Sequence, residues 1–225
     1  MTSPTVFLPS SAMSQLNQLK AANNIAINKI DARRSDVNKQ STAASGLKTE
    51  ADQLKDALGK LSSATDKKAA VETFVKEYND LFKAVKTQTA KGATLSRAFD
   101  IRTAQSNLRE PFLSPDVLSS MRALGIESTR EGLKVSGEPD PTANMTTFVN
   151  AFQSTVDKVQ ARIDSFSSRV SQSLERLDKE KERVSERVER MNKRTELSFL
   201  KMYQVMQAAS NANGSNSSGG VSIFG

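Results

Sequence analysis

The sequence predicts a mainly α-helical fold. Antiparallel terminal coiled-coil helices form a stalk or leg, and a small helical head module carries one β-hairpin. Two observations predict the helices: the six prolines leave residues 10–110 and 142–213 uninterrupted, and heptad repeats occur towards both ends. A third observation predicts the hairpin, because two short apolar runs in residues 124–136 flank a polar turn.

The first stalk helix is predicted over residues 16–64. Apolar side chains in its second half repeat with alternating spacings of four and three, which is typical of a coiled-coil seam. These side chains are Leu47, Ala51, Leu54, Leu58 and Leu61.

The second stalk helix is predicted over residues 143–206. One heptad register runs through Val156, Ile163, Val170, Leu177, Val184, Met191 and Val205. The companion positions change register near 165–168, so the pattern leaves open whether this segment is one helix or two. Pairing with the first helix is predicted to use a seam of Leu47, Leu54, Leu58, Leu61, Leu177, Val184, Val188 and Met191.

Residues 65–142 are predicted to form the compact, α-rich module. A broad apolar stripe marks a helix over 66–89, a second helix is expected over 95–108, and Ser114 and Pro115 begin a third. The hairpin follows within 125–136, and it needs packing support because an isolated hairpin is marginally stable. The predicted core of this module comprises Phe74, Tyr78, Leu81, Phe82, Ile126, Leu133 and Val135.

The two ends of the sequence are predicted to be flexible arms, residues 1–15 and 207–225, because the second is rich in Asn, Ser and Gly. Apolar side chains in or beside these arms are expected to become ordered on assembly, by docking onto neighbouring subunits or another partner protein; ordinary flexible termini are the alternative. These apolar side chains are Val6, Phe7, Leu8, Met202, Val205 and Met206.

Composition excludes several classes of protein. The chain has no Cys and no His, so zinc sites, thiol chemistry and imidazole catalysis are excluded. No catalytic or phosphate-binding motif is present, and Asp100 and Glu110 are isolated acids for which capping or surface pairing is expected. We therefore predict no enzymatic activity, no catalytic residue, no metal site and no cofactor.

Charge and hydropathy indicate neither a nucleic-acid binder nor a membrane protein. The net charge of +7 is spread along the chain, with 8 basic against 5 acidic residues in 1–60, 12 against 11 in 61–142, and 12 against 9 in 143–225. Nucleic-acid binders usually concentrate their positive charge in a patch. No stretch is long and apolar enough to span a membrane, and no Sec signal peptide is expected at the N-terminus.

Four segments resemble the flagellar filament-capping proteins, the FliD or hook-associated protein 2 family. VETFVKEYNDLF (71–82) is similar to that family's Tyr-Asn helix, and LGIESTREGLKVS (124–136) is similar to its Gly-Ile…Gly-x-Leu hairpin. ATLSRAFDIRTAQSNLRE (93–110) and FLKMYQVMQAASNANGS (199–215) resemble the segment after the helix and the closing helix with its tail. Only Ser62–Ala70 separate Leu61 from Val71, so the chain resembles a minimal member without the usual central β-rich head domains.

The resemblance implies a structural role at the tip of the bacterial flagellum. Such a protein would be exported through the flagellar type III apparatus without a cleaved signal peptide. It would form a ring-like homo-oligomer of about five subunits at the distal end of the filament, and promote the insertion of flagellin there. Its implied partners are itself, flagellin, the hook–filament junction protein and a flagellar export chaperone.

Two alternatives remain open from the sequence. One is another type III-secreted coiled-coil axial protein, such as a hook–filament junction protein, although the hairpin after a Tyr-Asn helix favours the cap. The other is a basic coiled-coil nucleic-acid-binding protein, which would bind with strong salt dependence.

Overall fold

The computed structural model describes residues 10–140, 142 and 145–214, and it is mainly helical with one small antiparallel hairpin, as predicted. The described residues form five α-helices, two strands and one 3-10 turn, Glu110–Leu113. In chain order the elements are α1 (Ser10–Ser63), α2 (Lys67–Thr89), α3 (Phe99–Asn107), α4 (Pro115–Ala123), β1 (Ile126–Thr129), β2 (Gly132–Val135) and α5 (Thr146–Gly214).

The chain divides into two compact units. The central unit comprises Arg34–Arg176, and the terminal unit comprises the chain up to Arg33 and from Leu177 onward. The central unit therefore contains the whole of the predicted module 65–142, together with adjoining parts of α1 and α5.

Both long helices extend further than the sequence predicted. α1 begins at Ser10, directly after Pro9, so residues 10–15 are helical rather than part of a flexible arm. α5 continues through Gly214, so residues 207–214 are helical as well. The extension is consistent with the absence of proline from 142–213, and α5 is one helix across Ser165–Ser168, where the sequence left a bend open.

The segment before α3 departs from the predicted helix over 95–108. Residues 90–98 form consecutive turns, in which the amide of Leu95 donates to the carbonyl of Gln88 at 3.0 Å and the amide of Ala98 donates to Leu95 at 2.9 Å. Leu95 is buried, so this turn packs an apolar side chain into the core instead of adding a turn of helix.

The hairpin and the short helix before it lie where the sequence predicted them. Ser114 is the N-cap residue of α4 and Pro115 occupies its first turn, where a missing amide proton costs nothing. The strands pair antiparallel from Ile126↔Val135 to Thr129↔Gly132, leaving a two-residue turn of Arg130 and Glu131.

Aromatic rings from α2 and α5 meet in the core of the central unit. The ring of Phe74 contacts Phe148 and Phe152 edge-on, with centroid distances of 5.1 and 5.2 Å. Tyr78 lies 6.0 Å from Phe152 in the same arrangement. Such pairs contribute about 0.5–1.5 kcal/mol beyond the burial of their area. The beginning of α5 is thus a core element of this unit.

Ion pairs connect α1 to α5 along the surface of the central unit. Lys48 Nζ lies 2.6 Å from Asp164 Oδ1, and Lys55 Nζ lies 2.9 Å from Asp157 Oδ1. The partner number falls as the residue number rises, so the two helices run in opposite directions here. Each pair is about half exposed, so its contribution to stability is small.

Candidate interaction surfaces

α2 presents two adjacent polar side chains, Tyr78 and Asn79, that anchor neighbouring elements of the central unit. The hydroxyl of Tyr78 is buried and donates to the carbonyl of Leu108 at 2.8 Å, so the ring fills the core while its polar end has a partner. Burial raises the pKa of this hydroxyl, and a nearby Arg109 opposes the rise. The group therefore stays protonated and acts as a donor.

Asn79 holds the hairpin against α2 through both atoms of its side-chain amide. Its Nδ2 donates to the carbonyl of Leu133 at 2.8 Å, and its Oδ1 accepts from the amide of Leu133 at 2.7 Å. This is the pattern that a neighbouring strand would offer to β2. The side chain thus occupies an edge position that would otherwise leave two backbone groups without a protein partner.

Gly132 makes this close approach sterically feasible. Its φ of +139° lies in a region that favours glycine, and a Cβ at this position would collide with Asn79 Oδ1. The contact therefore places the Tyr78-Asn79 pair of α2 directly against Gly132 and Leu133 of the hairpin.

An open groove lies between α2 and the hairpin turn. Its volume is about 830 Å³. It is lined by Asn79, Asp80, Phe82, Lys83, Lys86, Thr129, Arg130, Glu131, Leu133 and Lys134. α2 and β2 contribute the walls, and the contact between Asn79 and Leu133 joins them.

The residues of the predicted pairing seam differ in burial. Leu47, Leu54, Leu58, Leu61 and Leu177 are buried. Val184, Val188 and Met191 are half-buried. In the terminal unit, Lys181 Nζ lies 2.7 Å from Asp31 Oδ1, so α1 and α5 are linked by an ion pair there too.

The predicted docking residues that the structure describes are exposed. Met202, Val205 and Met206 of α5 are 39%, 68% and 60% exposed. Leu197 and Leu200 on the same helix are each 59% exposed. Val6, Phe7 and Leu8 lie outside the described residues. The late part of α5 therefore exposes five large apolar side chains to solvent within ten residues.

The predicted module core is buried with one exception. Phe74, Tyr78, Leu81, Phe82, Ile126 and Leu133 are buried, whereas Val135 is half-buried. Sequence reasoning missed Phe148 and Phe152, which are fully buried against Phe74. Their spacing of four residues at the start of a long helix was the available signal, because i, i+4 side chains share a face.

The burial of Asp100 differs from what the sequence predicted. The sequence predicted a capping or surface role, but its side chain is only 8% exposed and forms an ion pair with Arg169 of α5. Its Oδ2 is buried, so this ion pair supplies the charge compensation that a buried carboxylate needs. Glu110, the other isolated acid, lies on the surface and pairs with Lys158 at 2.6 Å.

The described part of the chain offers no metal-binding cluster and no membrane span. No three or more acidic side chains group there in a way that could hold a metal ion. No described helix combines the length and apolar character needed to cross a bilayer.

Comparison with known proteins places the chain in no family. No protein-family model, curated protein or solved structure matches it.

Proposed function

We propose that this protein is a structural protein that caps the distal end of the bacterial flagellar filament. It acts as a ring-like homo-oligomer and promotes insertion of flagellin at the tip. The proposal starts from the resemblance of residues 71–82 and 124–136 to the filament-capping proteins. The contact between Asn79 and Leu133 supports it, because it joins the two segments on which the resemblance depends.

The observation that carries the proposal is the group of exposed apolar side chains on the late part of α5. Leu197, Leu200, Val205 and Met206 are each more than half exposed. Large apolar side chains that are exposed close together in this way are typical of interaction sites in soluble proteins. A helix binds through such side chains by packing them against a complementary helix or groove. Neighbouring cap subunits and flagellin are the partners that we propose for this face.

We further propose that α1 and α5 pair as an antiparallel coiled coil that serves as the leg of the cap. Buried Leu47, Leu54 and Leu58 support this pairing, as do the ion pairs of Lys48 and Lys55 with α5. Export through the flagellar type III apparatus, without a cleaved signal peptide, would bring the protein to the filament tip. The hook–filament junction protein and a flagellar export chaperone are its proposed further partners.

The test is complementation in a strain that lacks the gene. We expect the deletion strain to secrete monomeric flagellin and to grow no filament, and the wild-type gene to restore filaments seen by electron microscopy. The triple variant Leu200→Asp, Val205→Asp and Met206→Asp should be secreted but fail to restore them.

A matched control places the same three charges at exposed polar positions of α1, away from the late part of α5. The variant Ser35→Asp, Asn38→Asp and Gln53→Asp should restore filaments. Full-length filaments in the deletion strain would overturn the proposed function.

A further inference from the structure

Four basic side chains line the groove between α2 and the hairpin turn. Lys83 and Lys86 belong to α2, and Arg130 and Lys134 belong to the hairpin. All four are exposed, and none forms an ion pair with any residue that the structure describes. Unpaired cations on both walls of one groove produce a positive potential between them.

The acidic residues near the groove offset this charge only in part. Asp80 is already paired with Lys76, at 2.9 Å. Glu127 lies opposite Lys134 in the hairpin register, without an ion pair between these two described residues. Glu131 in the turn is the one lining acid, among the described residues, that has no basic partner. Positive charge therefore exceeds negative charge in the groove.

The groove is held in shape by contacts that do not involve its four cations' charged ends. Asn79 fixes β2 to α2, and Arg109 donates to the carbonyl of Arg130 at 3.3 Å. The guanidinium carbon of Arg109 also lies 5.1 Å from the centroid of the Phe82 ring, a cation–π contact. Because both walls are fixed, a ligand would meet cations whose backbone positions are already set, which lowers the part of the entropic cost of binding that comes from ordering the backbone.

We propose that this groove binds an acidic peptide segment of a partner protein, whose carboxylates pair with Lys83, Lys86, Arg130 and Lys134. This inference goes beyond the proposed capping role and does not depend on it. A peptide fits better than single-stranded nucleic acid, which relies on accessible aromatic faces for stacking. Phe82 is the one aromatic residue in the described lining, and it is 2% exposed with Arg109 over its ring.

The experiment measures binding of a fluorescein-labelled hexaglutamate peptide to the full-length protein by fluorescence anisotropy at low salt. We expect saturable binding that weakens with salt. The groove variant Lys83→Gln, Lys86→Gln, Arg130→Gln and Lys134→Gln should weaken it by about tenfold or more. Removing four exposed charges elsewhere, with Lys29→Gln, Lys60→Gln, Arg183→Gln and Lys201→Gln, should change the Kd by less than about twofold.

Lysine footprinting of the unmodified protein gives an independent measurement. Acetylation of Lys83, Lys86 and Lys134 should be slowed by the peptide, whereas that of Lys29 and Lys60 should not. Absence of binding, equal loss in the two variants or unprotected groove lysines would overturn the proposal. So would tighter binding of a labelled hexathymidine oligonucleotide than of the peptide.

Discussion

The side-chain amide of Asn79 serves the hairpin as a third strand would. Leu133 directs its amide and carbonyl away from β1, and both are met by one side chain at hydrogen-bonding distance. Both backbone groups, which are partly buried, therefore have a hydrogen-bond partner. Leaving such groups unpaired would destabilise the fold by more than the net contribution of the two hydrogen bonds.

Replacing Asn79 with alanine should destabilise the protein by about 1–3 kcal/mol, because both backbone groups of Leu133 lose their partner. Urea denaturation followed by circular dichroism measures the change. Asn38→Ala is the control, because Asn38 is exposed on α1, and its effect should stay within about 0.5 kcal/mol. Equal effects of the two substitutions would contradict this role for Asn79.

Two glycine-to-alanine substitutions should change the stability of the protein in opposite directions. At Gly132 the added Cβ meets Asn79 Oδ1, and φ is positive, so Gly132→Ala should destabilise by more than about 1 kcal/mol. At Gly46, in the middle of α1, the added Cβ meets open space, so Gly46→Ala should stabilise by about 0.5–1 kcal/mol. Thermal unfolding of both variants measures these shifts, and a stabilised Gly132→Ala would contradict the contact.

At the scale of elements, α5 has two roles in one helix. Its first residues supply Phe148 and Phe152 to the core of the central unit, while its late residues expose Leu197 and Leu200. The change in burial reflects what each stretch packs against, because the helix itself is unbroken from Thr146 to Gly214.

Phe152→Ala should lower the free energy of unfolding by about 3–5 kcal/mol, because it opens a cavity beside Phe74, Tyr78 and Phe148. Phe152→Leu keeps most of the volume and should cost markedly less, so it gives a measurable midpoint if the alanine variant unfolds. Phe99→Ala is the matched control, since Phe99 is 72% exposed and its loss should be nearly neutral. Chemical denaturation midpoints rank the three variants.

The pairing of Asp157 with Lys55 should make stability fall in acid. The hydrogen bond from Lys55 holds the pKa of the Asp157 carboxyl below its ordinary value of 3.8, against a smaller opposing effect of burial. A carboxyl whose pKa is lower in the folded state stabilises the fold above its unfolded pKa, and this stabilisation is lost as the pH falls through the folded pKa. Wild type should therefore exceed Asp157→Asn in stability at about pH 7; the difference should begin to shrink as the pH falls below about 4 and should be lost only below the folded pKa of Asp157.

The matched control for this pH dependence is Asp56→Asn. Asp56 is exposed on α1 and forms no ion pair among the described residues. The difference in stability between Asp56→Asn and the wild type should not change with pH in the same way. A gap between wild type and Asp157→Asn that persists in acid would contradict the electrostatic origin.

Sequence periodicity predicted the elements better than their contacts. The heptads and the proline-free stretches located α1 and α5, and the turn chemistry located the hairpin, because these signals are local. The contact between Asn79 and Leu133, 54 residues apart, is not encoded in any local period. Phe148 was missed and Asp100 was misjudged for the same reason: their burial depends on which distant element packs beside them.

At the scale of the whole molecule, the structure makes a testable prediction about self-association. In the terminal unit, the exposed apolar residues of α5 should drive self-association, because burying them against another copy removes apolar surface from water. Sedimentation velocity should show concentration-dependent oligomers of the wild type. Leu200→Asp with Val205→Asp should shift them towards monomer, while Ser35→Asp with Asn38→Asp on α1 should not. A monomeric wild type at high concentration would contradict the assembly.

The ion pairs between α1 and α5 show how far apart in the sequence the paired parts of the central unit lie. Lys55 and Asp157 are separated by 102 residues, and Lys48 and Asp164 by 116. Contacts this distant in sequence close slowly, because a long intervening loop must be ordered first. A chain that emerges from its N-terminus therefore has Leu54 and Leu58 synthesised well before the α5 residues beside them. The central unit completes its folding only after Asp164 has emerged, and its α1 leucines remain open to chaperones or other chains until then.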